Sequence, residues 1–415
     1  AGALAAAFLL ETWFILAPQI PIGIRVSSTD LASLLLVAGL AVRLLHSGLR
    51  FNRILFLGWI VVGAFMFASF ARGLGQFGTQ SGVELRENFY FWVAGLYFAS
   101  FSYTEQDLKR LWRVLLFAAW AVVAIAFYRW IGLSAGFVSR GLFLVAGAST
   151  EFRAVGSHQA LLLAVVAVIY FSRWLDAQRL REGLFSFFLI ALVVVLQHRS
   201  VWLATLAMLF SLLVLRRDRL TQVLPWLVAG GAVFTGAIAS LYALGYFDEL
   251  FDSLITSVAS AAPGLRGTHT ARIEGWSQLL EEWMFSYPII DQVFGRPYGA
   301  GFSRYVFGYE NEFTPHNFYV ELLLRIGPVG LLIVAVICAS LGVAAIRNQL
   351  QGIAFSGNRL AASVILGWAV FFIAYQGNFI QGAGFGVVMA LAMMARESAS
   401  SPIREPLATS RASYG

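Results

Sequence analysis

The stretch FYVELLLRIGPVGLLIVAVICASLGVAAI, residues 318–346, decides the fold. Its only charged residues, Glu321 and Arg325, fall in the first third, and Leu, Ile, Val, Ala and Gly fill the rest apart from Pro328, Cys338 and Ser340. As a helix rising 1.5 Å per residue it reaches about 43 Å, more than the ~30 Å of a bilayer's hydrocarbon core. A helix this long must tilt or bend, and Pro328 is the place for a kink.

Working outward, similar apolar runs fill the chain. Spans are expected near 1–20, 31–46, 53–71, 88–102, 110–130, 157–175, 183–197, 200–215, 224–245, 318–346, 360–377 and 380–396. Of the 415 residues, 59% are hydrophobic and 12% charged; a soluble domain carries about 25% charged residues. The fold class expected is therefore an all-α polytopic membrane protein with about 12 transmembrane helices. Its parts are helices 1–9 over residues 1–245, a partly helical periplasmic loop over 246–317, helices 10–12 over 318–397, and a disordered cytoplasmic tail over 398–415. The opening AGALAAAFLL lacks a basic flank and a cleavage site, which favours a first membrane helix over a removable signal.

The formal net charge of +7 does not point to nucleic acid, because the arginines lie in loops between apolar runs. They report topology. Arg43, Arg50 and Arg53; Lys109, Arg110 and Arg113; Arg173, Arg179 and Arg181; Arg216, Arg217 and Arg219; Arg347 and Arg359; and Arg396, Arg404 and Arg411 fall in alternate connections. The positive-inside rule makes those connections, and both termini, cytoplasmic. The lone Cys338 excludes an intrachain disulfide.

One connection is long. About seventy residues separate the spans ending near 245 and starting near 318, too many for a structureless linker and therefore a place for function. Within it, TARIEGWSQLLEEWMF (270–285) reads as an amphipathic helix, with Ile273, Trp276, Leu280 and Trp283 recurring at helical spacing and Thr268 or Thr270 as cap. GRPYGAGFSRYVFGYENEFTP (295–315) reads as turns.

Polar groups at membrane depth or at its interface are costly, so their positions are the best guide to chemistry. Arg199, in QHRSVW, occupies a tight hairpin: it either anchors the turn to headgroups or clamps a phosphate with its planar fork. Arg272, in HTARIEGW, sits at a helix start, where it is either plain solvation or a second anion contact. His316, at the return to the membrane, is an interfacial residue or a general base. His198 and His269 adjoin the two arginines; Arg25, Arg86, Arg140, Arg153, Arg296, Arg304 and Arg325 lie on or near the same side. Rings such as Tyr246, Trp276, Trp283, Tyr287, Tyr298, Tyr305, Tyr309 and Phe313 suit both a membrane belt and sugar stacking. No HExxH, DxD, phosphate-binding glycine loop or GxSxG elbow occurs, so neither a metal nor a cofactor is expected.

Over about residues 197–330, the hairpin arginine of QHRSVW, the Arg-bearing loop helix and the return PHNFYVELLLRIGPVGLL resemble the O-antigen ligase and O-antigen polymerase superfamily. The resemblance implies a metal-independent, inverting glycosyltransferase of the bacterial inner membrane. The donor would be a polysaccharide on undecaprenyl diphosphate, and the acceptor lipid A core for a ligase or a lipid-linked glycan for a polymerase. It implies that Arg199 and Arg272 hold the diphosphate and that His316 activates the acceptor hydroxyl on the periplasmic face. His198, Arg296, Arg304, Trp276, Tyr298, Tyr309 and Asn317 are the expected substrate contacts, and the adjacent His198 leaves open which imidazole handles the proton. A transporter, the reading from another class, calls for acidic residues inside the spans, where they are almost absent.

Overall fold

In the computed structural model the described residues are 1–14, 19–22, 24–47, 53–138, 144–145, 152–243, 268–350 and 356–400. They form helices α1 (Gly2–Phe14), α2 (Ser28–Ser47), α3 (Arg53–Phe77), α4 (Thr79–Ala99), α5 (Glu105–Ser134), α6 (Ser157–Ala177), α7 (Leu180–Val195), α8 (Arg199–Leu215) and α9 (Leu220–Ala243). After the undescribed part of the long connection come α10 (Thr268–Phe285), α11 (Ile289–Phe294), α12 (Phe318–Leu350), α13 (Ser356–Phe371) and α14 (Phe379–Ser400). Among the described residues, strands are confined to three two-stranded antiparallel hairpins. The expected first part of the loop, with Tyr246, lies outside the described residues, as do Arg140 and the tail from 401.

Among the described residues, five helical stretches are long and apolar enough to cross a membrane: Ser28–His46, Leu55–Phe77, Glu105–Leu133, Ser157–Ala177 and Phe318–Arg347. Shorter apolar helices run over Gly2–Phe14, Arg199–Leu215, Arg359–Phe371 and Phe379–Leu391. Large apolar side chains such as Leu34, Leu45, Phe117, Leu206 and Phe210 point outward. Water would penalise that surface and a bilayer would not, so the protein is an all-α assembly suited to a membrane.

Local signals place the helix starts. Ser27 and Asp30 form a capping box on α2, with the Ser27 N–H donating to Asp30 at 2.6 Å. Thr104 and Asp107 do the same for α5, and Asn378 and Gln381 for α14. Asn317 Oδ1 accepts from the N–H groups of Tyr319 and Val320, capping α12. Each box satisfies amide donors that a helix start leaves without partners.

The bend expected at Pro328 is a break one residue earlier: Gly327 has φ 70° and ψ 177°, splitting α12. A Cβ at Gly327 would come within 2.0 Å of the Val293 carbonyl oxygen, so the end of α11 is wedged into the break. Only glycine meets both demands.

At the centre, α4 packs along α14. Gly382 and Gly386 face the α4 backbone, where an added Cβ would meet the carbonyls of Phe91 and Gly95 at 2.2 and 2.4 Å. Small residues permit this approach, and dispersion between the two backbones follows from it. The Gly382→Val variant is expected to lose about 1–3 kcal/mol by overpacking, read as a lower melting temperature in detergent.

Candidate functional site

Four helices begin at one end of the bundle: contacts join the starts of α6, α8 and α14, and the start of α12 meets the end of α13. His198, which precedes α8, donates from Nε2 to the Val155 carbonyl just before α6 at 2.8 Å. Gln381, in the first turn of α14, donates to Nδ1 of His158, the second residue of α6, at 3.1 Å. The Phe318 N–H opening α12 donates to the Phe372 carbonyl at the end of α13, at 2.9 Å. Four helix N-termini therefore gather in one region, each adding about half a positive charge that favours an anion, and the C-terminal end of α13 offsets part of it.

Tyr375, in the join between α13 and α14, stands in the middle. Its ring lies 6.4 Å from that of His316 and 6.0 Å from that of His158, and stacks on Phe371 at 4.9 Å. The Arg272 guanidinium carbon is 5.4 Å from the ring centroid. Burial opposes ionisation of the phenol, but Arg153 and Arg272, with Ser157 near the hydroxyl, outweigh it and hold Tyr375 below the usual tyrosine value. Two cations from distant parts of the chain thus act on one hydroxyl.

His316 has the left-handed backbone conformation, φ 49°, which costs a non-glycine residue roughly 1–2 kcal/mol. Its neighbours hold it there. Trp276 of α10 donates to the Pro315 carbonyl at 2.7 Å, and Arg304 donates to the carbonyls of Phe302, Phe313 and Thr314 at 2.9, 2.6 and 3.4 Å. The imidazole is exposed on the open side of the cluster formed with Arg272 and Tyr375, the recess of the site. Burial, then the cations Arg272 and Arg304, push its pKa down to about 4, so it is neutral at pH 7.

His198 is different. It is 2% exposed and its Nε2 is spent on Val155. Burial and Arg153 push its pKa down to about 3, and its Nδ1 has no partner among the described residues. It latches the hairpin to α6 as a neutral group. Arg199, half-buried, follows it directly and opens α8.

The face of α10 differs from the expected one. Leu279 is buried with Phe302, Val320 and Leu324, and Trp276 and Trp283 pack beside it, whereas Ile273 is 48% exposed. The inward stripe is Arg272, Trp276, Leu279 and Trp283, at i, i+4, i+7 and i+11. This rotation is what aims Arg272 at Tyr375.

Most of the expected substrate contacts hold the protein together. Tyr298 is fully buried beneath α3 and α4 with its hydroxyl on Asn88, so it presents no stacking face; that expectation is corrected. Arg296 donates to the Tyr287 hydroxyl at 2.5 Å and lies 3.8 Å from Glu282. Asn317 spends its carboxamide oxygen on α12, and Trp276 is anchored as above. Tyr309, 78% exposed on the hairpin Arg304–Val306 and Tyr309–Asn311, does present an open ring, and Phe313 is as exposed.

Glu11, Glu87 and Glu321 belong to α1, α4 and α12; Glu11 and Glu321 lie within a turn of a helix end, and Glu87 lies about two turns into α4. Glu321, 1% exposed, accepts from Asn88 at 2.8 Å and from Gln376 at 2.6 Å. Glu87 is exposed and close enough to Glu11, Glu321 and Asp30 to feel their charge. Arg86 pairs with Asp30 at 3.6 Å. The side chains of Arg25 and His269 lie outside the described residues. Among the described residues no three His, Cys, Asp or Glu side chains could share a metal ion.

Tyr375, Ser157 and Gln381 were not singled out from the sequence, and His158 ranked low. The polar join Gln376-Gly377-Asn378 was the available signal, and it reads locally as a turn. No family model matches the chain, and no curated protein matches it significantly.

Proposed function

We propose that the protein is a metal-independent inverting glycosyltransferase of the bacterial inner membrane. In this reading it moves a glycan from undecaprenyl diphosphate to an acceptor sugar, as an O-antigen ligase does with lipid A core. The observation that carries this reading is the recess where four helix N-termini, Arg153, Arg272 and a neutral His316 meet around Tyr375. It brings guanidiniums and helix starts together at one end of an apolar bundle, which suits an anionic headgroup on a lipid.

The chemistry follows from charge. An acceptor hydroxyl attacks the anomeric carbon from the face opposite the diphosphate, the carbon–oxygen bond to phosphate breaks, and its electron pair leaves with the diphosphate. Arg272, Arg153 and the helix ends stabilise that charge, and Arg199 adds to them from α8. The hydroxyl proton passes to His316, which is exposed to the recess where His198 is not. A bound dianion would offset Arg272 and Arg304, the cations that add to burial in holding His316 low. Donor binding would then raise the basicity of the imidazole when it is needed.

The test is transfer by purified protein from a polyprenyl-diphosphate glycan, with EDTA present, to lipid A core in one arm and to a lipid-linked glycan in the other. Product in the first arm marks a ligase and in the second a polymerase; product in neither sinks the proposal. Arg272→Ala is expected to lower transfer about 10²–10³-fold. Arg272→Lys and Arg199→Lys keep the charge, lose the fork and should fall between. Wild-type rates for the Arg272 pair would remove that residue from the mechanism.

A further inference from the structure

Away from the recess, α1, α5, α6, α13 and α14 enclose a groove of about 490 Å³. Its walls are apolar, with Phe8, Leu111, Leu162, Ala383 and Val387 among them. Polar side chains line it only at its ends: Gln381 at the recess end, and Ser172, Arg173 and Asp176 at the other. Asp176 pairs with Arg216 of the neighbouring helix end, which offsets its charge. Arg173 has no carboxylate partner among the described residues; its guanidinium lies exposed 4.2 Å from the centroid of the Trp112 ring.

We infer that this groove is a binding site for an anionic phospholipid of the bilayer, with an acyl chain between the helices and the phosphate on Arg173. Two observations fix the occupant. First, an apolar slot with a cation at one mouth matches an amphiphile with one anionic head, and the guanidinium fork matches a phosphate. Basic pockets between membrane helices on the arginine-rich side take such headgroups. Second, none of Arg153, Arg199, Arg272 and Arg304 lines the groove, and its recess end stops at Gln381, whose carboxamide is engaged by His158 and Asn378. A head held in the recess would have to thread its chain past that side chain; a head at Arg173 would not. The lipid would brace α5 and α6 against α13 and α14, and hence His158 and Gln381 at the far end.

Purified full-length protein would be exchanged into equal phosphatidylglycerol and phosphatidylcholine and examined by native mass spectrometry. Wild type is expected to retain phosphatidylglycerol about fivefold over phosphatidylcholine, and Arg173→Gln to lose that preference. Ala383→Phe and Ala118→Phe, filling the groove from opposite walls, are expected to lose retained lipid of both kinds; size exclusion and melting confirm that at least one is folded. Equal retention by wild type, an unchanged preference in Arg173→Gln, retained lipid in a folded groove-filling variant, or displacement of the phospholipid by polyprenyl phosphate would each overturn the inference. The transfer assay is independent, so failure here leaves the glycosyltransferase reading standing.

Discussion

Transfer by the His316→Ala variant is expected to fall about 10²–10⁴-fold, the range for loss of a positioned general base. Membrane insertion and elution should be normal, because the imidazole is exposed and lies in a loop rather than within a helix. The pH profile separates this from a structural role. With the folded pKa near 4, the active neutral imidazole dominates above about pH 4 and is lost below it. Saturating donor, by covering Arg272 and Arg304, should move that acid limb toward neutrality. The effect on stability has a definite sign. A histidine lowered from 6.5 to about 4 binds its proton more readily unfolded, so its contribution is whole above pH 6.5 and is lost as pH falls toward 4. His316→Ala should flatten that slope. Wild-type rates in this variant would sink the assignment of His316.

The recess also shows what a sequence exposes and what it hides. Apolar length and the return at Pro315 to Gly330 are local, and they made the all-α membrane character and the bend legible. The capping boxes are local too. The inward face of α10 is not, because Ile273, Trp276, Leu280 and Trp283 make a valid stripe in an isolated helix. What rotates the helix is the fit of Leu279 between Phe302, Val320 and Leu324, together with the Trp276 bond to Pro315. Had Ile273 faced inward, Arg272 would have turned away from Tyr375. The meeting of Tyr375 with Arg153 was hidden for the same reason: more than two hundred positions separate them. Tyr298 was misread because an aromatic residue in a turn-rich loop resembles any other until the helices beneath it are placed.

A second large effect is expected at Arg325, whose 1% exposed side chain pairs with Glu84 across α12 and α4. The same guanidinium donates to the carbonyls of Pro297 and Gly301 at 3.0 and 2.7 Å. Glu84 Oε2 in turn accepts from the Gly299 and Gly301 N–H groups at 2.5 and 3.4 Å. One ion pair therefore fastens the whole turn 297–301 to two helices. Arg325→Leu removes the cation and leaves a carboxylate buried without its partner, which costs about 3–5 kcal/mol. The damage should spread along the chain, because this turn leads into Arg304 and the residues that set His316. Melting in detergent should drop, proteolysis should begin near 297–301, and transfer should fail although Arg325 touches no substrate. The double variant Glu84→Leu with Arg325→Leu is the control. Removing both charges should recover much of the stability. It leaves Gly299 and Gly301 without their acceptor, so ordering of the turn, and transfer with it, should stay impaired. Full transfer in a stable double variant would show that the turn does not position the recess.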